Sequence, residues 1–176
     1  MDFRRVLETV VTFLRKEGYP GALIGGFAMQ AHGMSRATVD LDFVVDADAQ
    51  GKLIAFLESL GYETLYRSSG YSNHLHSDLD LGRVDFVYVR GETRKKLFAG
   101  AREVQLHGGL SALVPRPEHL VAMKIQAMKN DPERTLREMA DLQYLIGLPG
   151  VDNDEVRRYF ERQGLLDKYH ELKRTS

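Results

Sequence analysis

The segment Thr38–Asp46, "TVDLDFVVD", alternates strictly: Val39, Leu41, Phe43 and Val45 fall on one face, and Thr38, Asp40, Asp42, Val44 and Asp46 on the other. A period of two specifies a β-strand with one apolar face, and the rest of the chain must supply a sheet and a core to cover that face. The opposite face is less easily explained. Aspartate is depleted in strands and like charges side by side on a sheet repel, so Asp40 and Asp42 weaken the strand that carries them. At about 3.3 Å per residue their carboxylates lie roughly 6.6 Å apart along the strand and point the same way. That spacing lets both converge on hard divalent cations, and such oxygen donors suit magnesium or manganese rather than zinc. A solvated sheet face is the alternative.

Upstream, "GALI" (21–24) reads as a short strand running into Gly25-Gly26, after which "FAMQAH" reads as a helix ended by Gly33. A strand that ends in Gly-Gly and opens a helix presents backbone N–H groups with no side chain to obstruct a phosphate, although the same pair also serves as a plain turn. It is neither a dinucleotide fingerprint nor a P-loop, because no G-x-x-G spacing and no Gly-Lys-Ser/Thr follow. Downstream, "RVDFVYV" (83–89) sets Asp85 among Val84, Phe86, Val87, Tyr88 and Val89. Both faces of that strand are apolar, which predicts a central position in the sheet and a charge that needs a partner. If this strand neighbours the one carrying Asp40 and Asp42, three carboxylates could hold two divalent ions. A salt bridge from Asp85 to Arg83 or another arginine is the other way to satisfy it.

The remaining pattern is α+β. Residues 2–17 form an amphipathic helix closed at Gly18, residues 49–60 a second helix stopped at Gly61, and residues 62–67 a strand. Two more strands are predicted at about 72–79 and 83–89, with Arg102–Gln105 as a short edge strand pairing with them. From Val114 onward the pattern is helical: Pro117 suits a first helical turn, Asp131 a cap followed by Pro132, and Gly147 a stop, with a last helix over about 152–172. The expectation is a mixed β-sheet flanked by helices in a first lobe, residues 1–114. A helical C-terminal subdomain, residues 115–176, is expected to pack on it. A chain of 176 residues accommodates one small lobe with such an appendix.

Composition narrows the function. With 43% hydrophobic and 28% charged residues the chain can build a core, and a net charge of −1 argues against a protein that coats duplex nucleic acid. The absence of cysteine excludes disulfides, thiolate nucleophiles and cysteine-ligated zinc. No apolar run approaches the ~20 residues a membrane span needs, so a soluble, cytoplasmic protein with no membrane partner is expected. The segment "NHLHSDLDLG" (73–82) alternates His74, His76, Asp78 and Asp80 with Leu75, Ser77, Leu79 and Leu81. It is readable as a zinc or manganese site, or as a wet hairpin face with its leucines turned inward. His32, His107, His119 and His170 stand alone and are expected to fill satisfied surface or core roles.

Taken together, Ile24-Gly25-Gly26, Asp40-Leu41-Asp42 and the isolated Asp85 resemble the nucleotidyltransferase superfamily related to DNA polymerase beta. Its pattern is a hydrophobic residue, Gly-Gly or Gly-Ser, roughly ten residues, Asp-x-Asp or Asp-x-Glu, and later a third acid. With Arg36 and Thr38 ahead of the acids, the chain looks especially similar to the minimal and AbiEii-toxin-like nucleotidyltransferases of prokaryotes. Their helical tail, Pro-Glu-x-Leu…Lys…Arg…Lys-Asp…Asp, is matched by Pro117-Glu118-His119-Leu120, Lys124, Arg134, Arg137-Glu138 and Asp141, with Arg-Glu standing where Lys-Asp is common.

This resemblance, covering about residues 20–146, implies transfer of a nucleoside monophosphate from a nucleoside triphosphate to an acceptor hydroxyl, with pyrophosphate leaving. It implies Asp40, Asp42 and Asp85 as the catalytic and metal-binding residues, with magnesium or manganese as cofactor. It further implies that Gly25, Gly26, Arg36, Thr38 and Lys124 contact the nucleotide, Lys124 being equally readable as a solvated helix lysine. The acceptor is left open among RNA, protein and small molecule, and a cognate antitoxin or helical partner is possible. A catalytically degenerate binding protein and a two-metal phosphoester hydrolase are the competing readings.

Overall fold

The computed structural model describes residues 1–106 and 109–174; His107 lies outside them. The chain divides into two compact units, Met1–Pro115 and Arg116–Ser176.

In the first unit, helix α1 (Phe3–Glu17) buries Val6, Leu7, Val10 and Leu14 at helical spacing. The Asp2 side chain accepts a hydrogen bond from the Arg5 N–H at 3.0 Å and caps its start, and Gly18 at φ 74° closes it. A five-stranded sheet follows, in the order β1 (Gly21–Leu23), β2 (Asp40–Asp46), β5 (Arg83–Val89), β4 (Tyr71–Leu75) and β3 (Glu63–Arg67). The β2–β5 pair is parallel and every other pair antiparallel, so the sheet is mixed. Helices α2 (Gly25–Ala31), α3 (Gln50–Ser59) and α4 (Gly91–Gly100) lie between the strands in sequence. The apolar face of β2 is buried as the alternation requires: Leu41, Phe43 and Val45 are at most 1% exposed, and Phe43 stacks on Phe86 of β5 at 5.5 Å. The placement of β5 between two strands explains why both of its faces are apolar.

Several local expectations need correction. β2 begins at Asp40, not Thr38, because Val39 sits in a bend at 82% exposure and the Thr38 hydroxyl is spent on Asp40 rather than on the ladder. β4 ends at Leu75, not near residue 79. There the chain leaves the ladder in a turn in which the Leu81 and Gly82 N–H groups both donate to the Asp78 carbonyl. Arg102–Gln105 (β6) does not join the large sheet. It pairs antiparallel with Ser111–Val114 (β7) in a separate two-stranded sheet. Helix α4 carries little apolar periodicity, since Leu97 is its one buried residue, and for that reason it was not legible from pattern.

The second unit is helical: α5 (Pro117–Asn130), α6 (Thr135–Ile146) after a short 3-10 turn at Pro132–Arg134, α7 (Asn153–Gln163) and α8 (Leu166–Arg174). Leu120, Val121, Ile125, Leu142, Leu145, Val156, Phe160 and Leu172 form its core. The single helix expected over 152–172 is two, because Gly164 adopts φ 70° and ends α7 with the Gly164 and Leu165 N–H groups donating to Glu161 and Phe160 carbonyls. No helix among the described residues is long and apolar enough to cross a membrane.

Candidate active site

Register explains how the acids meet. Across the parallel pair β2–β5, Asp42 is the partner of Asp85 and Asp40 the partner of Arg83. Paired residues share a face, so Asp40, Asp42 and Asp85 present ligand oxygens that all lie within 4.8 Å of one another. Asp40 and Asp42 are half-buried and Asp85 is 8% exposed. Three converging carboxylates with no histidine among them form a hard oxygen donor set, which fits magnesium or manganese. A fourth acid on the same face of β2, Asp46, lies apart from the cluster. It is buried, paired with Arg94, and its Oδ1 accepts the Asp48 N–H at 3.1 Å.

The glycine pair lies directly on this cluster. The Ile24 N–H donates to the Asp42 carbonyl at 2.9 Å, which binds the end of β1 to β2. Gly25 has φ +59°, and a Cβ placed on it would overlap the Asp42 carboxylate, 2.6 Å from its Cγ. On Gly26 a Cβ would come within 2.6 Å of Thr38 Cβ and 2.7 Å of its Oγ1. Both positions therefore require glycine, one for its left-handed backbone and both for close approach. Thr38 in turn donates to Asp40 Oδ1 at 3.0 Å, and Gln30 Nε2 donates to the Arg36 carbonyl at 2.6 Å, tying the loop that carries Arg36 and Thr38 back to α2. Gly25, Gly26, Thr38, Asp40 and Asp42 thus form one contiguous constellation with Asp85.

Asp85 combines both roles that its sequence context allowed. It belongs to the carboxylate cluster and is also held by Arg83, with Nε donating to Oδ1 at 2.8 Å and Nη2 to Oδ2 at 3.0 Å. The Tyr71 hydroxyl adds a third bond, to Oδ2 at 2.7 Å. Burial, reinforced by the Asp85 carboxylate that accepts its proton, pushes the Tyr71 phenol up to about 12. The hydrogen bond to Asp85 likewise raises Arg83 above the usual arginine value. Both groups therefore remain donors to Asp85 at neutral pH. Tyr71 was missed from sequence; it comes from β4, and no spacing rule links it to Asp85 until the strand register is known.

Lys124 lies in the helical unit. Its Nζ donates to Glu138 Oε2 at 2.9 Å and Asp141 Oδ2 at 2.5 Å, and Arg134 Nη2 also reaches Glu138 at 3.0 Å. The Lys…Arg…Glu…Asp pattern of the tail is thereby a largely buried ion network joining α5 to α6.

The His74–Asp80 segment forms neither of the faces expected for it. His74 is fully buried, with Nε2 at 2.8 Å from Ser72 Oγ and Nδ1 at 3.1 Å from Thr64 Oγ1. His76, Asp78 and Asp80 lie beyond the strand end and bond within the turn, while Leu75 and Leu79 are exposed at 42% and 84%. The reason is register: His74 faces Val84 and Ser72 faces Phe86, both core residues of β5, so Ser72 and His74 point inward and Leu75 outward. His32 Nε2 lies 2.9 Å from the Pro115 carbonyl, a satisfied structural role.

No protein-family profile matches the chain. No curated protein matches it at a significant level. Solved structures do match. The antibiotic-resistance factor ANT(2'')-Ia is similar over 99% of this chain and 92% of its own, at 14% identity and a TM-score of 0.57. The lincosamide antibiotic adenylyltransferase LnuA is similar over 81% of this chain and 96% of its own, at 15% identity and a TM-score of 0.55. An antigenic nucleotidyltransferase-like protein from Paracoccidioides brasiliensis is similar over 98% of this chain and 92% of its own, at 15% identity and a TM-score of 0.57. At such identities the likeness is one of architecture: the chain has the nucleotidyltransferase fold.

Proposed function

We propose that the chain is a metal-dependent nucleotidyltransferase that moves a nucleoside monophosphate from a nucleoside triphosphate to an acceptor hydroxyl and releases pyrophosphate. The observation that carries this reading is the convergence of Asp40, Asp42 and Asp85 within 4.8 Å beside a glycine pair whose backbone lies on Asp42 and Thr38. Divalent cations held chiefly by Asp40 and Asp42, beside Asp85, would screen the triphosphate and stabilise the leaving pyrophosphate. Gly25 and Gly26 keep the approach to Asp42 clear of side chains, and Thr38 orients Asp40.

Asp85 receives the acceptor. Its Oδ2 already accepts from Arg83 and Tyr71, whereas among the described residues Oδ1 accepts from Arg83 Nε alone. A carboxylate oxygen accepts about two hydrogen bonds, so Oδ1 retains capacity for one further donor. The acceptor hydroxyl donating there is aligned; as its oxygen attacks the α-phosphorus its proton passes to Asp85 Oδ1, and the bond from the α-phosphorus to pyrophosphate breaks. ANT(2'')-Ia is described in complex with adenylyl-2''-tobramycin and LnuA with lincomycin, which makes a small hydroxyl-bearing molecule the acceptor class to test first.

Incubation with magnesium and each labelled triphosphate in turn should give pyrophosphate and a labelled acceptor. Asp42→Ala should lower that rate by about a hundredfold or more. Unchanged activity in this variant would sink the reading, and release of nucleoside monophosphate with no labelled acceptor would make the protein a hydrolase instead.

A further inference from the structure

The strand registers place four residues in one row across the sheet. Asp42 of β2 pairs with Asp85 of β5, Asp85 with Asn73 of β4, and Asn73 with Tyr66 of β3. Neighbouring strands lie about 4.8 Å apart and paired residues share a face, so the row extends the carboxylate cluster continuously toward the edge strand β3. One end of the row is closed in: Gly25, Gly26 and Thr38 crowd Asp42 and Asp40. The other end is open, with Tyr66 at 56% exposure. Tyr71, two residues from Asn73 on β4 and therefore on the same face, donates its hydroxyl to Asp85, and its ring centroid lies 6.1 Å from that of Tyr66, tilted by 40°. Between them Asn73 Oδ1 is buried with no hydrogen-bond partner among the described residues.

We propose that Asn73, Tyr71 and Tyr66 form the acceptor subsite, and that it takes a hydroxyl-bearing, sugar-like ring. This rests on the nucleotidyl-transfer reading above, which assigns the closed end of the row to the triphosphate and leaves the open end to the acceptor. The chemistry selects the ligand. Asp85 Oδ1 and Asn73 Oδ1 are acceptors, so the ligand must bring O–H or N–H donors, and a donor to Asn73 relieves the desolvation cost of its buried carbonyl. The two tyrosine rings offer an apolar surface for the C–H face of a ring. A sugar-like ring presents both, a donor rim and an apolar face. A single-stranded RNA would also stack on the tyrosines, but it needs a basic track for its phosphates. Here β3 offers one arginine, Arg67, against one glutamate, Glu63, next to three carboxylates.

The test uses the full chain with magnesium, labelled triphosphate and, as acceptor probes, a set of mono-, di- and aminosaccharides beside a short single-stranded RNA. Label is expected on a saccharide. Tyr66→Ala should raise the KM for that saccharide roughly tenfold, the loss of one ring contact, and Tyr66→Phe should keep it near wild type. Asn73→Leu should raise the same KM without lowering the melting temperature, which a purely structural asparagine would not do, and the KM for the triphosphate should stay unchanged in all three. Label on RNA, or a saccharide KM indifferent to Tyr66→Ala, overturns the subsite. Calorimetric titration with magnesium and triphosphate alone separates the two proposals: triphosphate binding without any saccharide labelling overturns the subsite only, and absence of triphosphate binding overturns both.

Discussion

Gly25 shows at the scale of a single residue how tightly this site is built. Its φ of +59° lies where side chains are strained, and the space a Cβ would take is already filled by the Asp42 carboxylate. A turn glycine needs only the first property, whereas Gly25 needs both. We expect Gly25→Ala to destabilise the protein by about 1–3 kcal/mol, read from the denaturant midpoint, because strain and displacement of Asp42 add. Magnesium with triphosphate is expected to raise the melting temperature of the wild type, and the same variant should lose that rise. An alanine variant that keeps that rise would show that the glycine serves only the turn. Asp85 illustrates the complementary point: the repulsion expected among three carboxylates is offset by the bidentate Arg83 and by Tyr71, both bonded to the most buried acid.

Among the elements, β4 departs furthest from its reading and does the most for the sheet. Its two faces serve different ends, Tyr71 and Asn73 on the side of the acids and Ser72 and His74 on the core side. The core side carries a hydrogen-bonded chain. The Tyr88 hydroxyl lies 2.8 Å from Ser72 Oγ, Ser72 bonds His74 Nε2, His74 Nδ1 bonds Thr64 Oγ1, and Thr64 donates to Glu58 Oε1 at 2.8 Å. Because Thr64 gives its proton to Glu58, it accepts from Nδ1–H, and in the neutral ring that burial favours Nε2 accepts from Ser72. Burial pushes His74 below its ordinary value, and burial holds the Tyr88 phenol up at about 12. In the window between that lowered value and about 6.5, the unfolded chain binds more protons than the folded one, so stability rises with pH. The contribution is complete above about 6.5 and is lost as the pH falls through the window. Melting temperatures measured from pH 7.5 down to pH 5 should therefore fall, and His74→Leu, though less stable at pH 7.5, should show a shallower fall. An equal slope in the variant would place the acid sensitivity elsewhere.

At the scale of the whole molecule, the two compact units each have their own core and their own buried ionic arrangement. In the helical unit, Lys124 stands at 11% side-chain exposure between Glu138 at 3% and Asp141 at 4%. Removing the cation takes from both buried carboxylates the charge they share, while Glu138 keeps its bond to the half-exposed Arg134. Lys124→Met should cost about 2–4 kcal/mol, since two buried carboxylates that lose the cation between them are left under-compensated. Hydrogen exchange should show the loss in amides of α5 and α6, with amides of β2 and β5 keeping their protection. Uniform loss of protection across both units would contradict their independence as cores.

What the residues determined by themselves was local: the alternating strand with its acidic face, the glycine pair after a short strand, the central position of "RVDFVYV", and helices closed at Gly18 and Gly61. From these the mixed α+β class was legible, because period, caps and breakers act over a few residues. Pairing is different, since it joins residues far apart in the chain, and a slip of one position would turn every side chain of a strand to the opposite face. Tertiary structure alone therefore decided that Asp42 faces Asp85, that Arg83 and Tyr71 hold Asp85, that His74 points into the core, and that β6 pairs with β7. Asn73 and Tyr66 gained a place beside the acids for the same reason: only the register of four strands puts them in one row with Asp42.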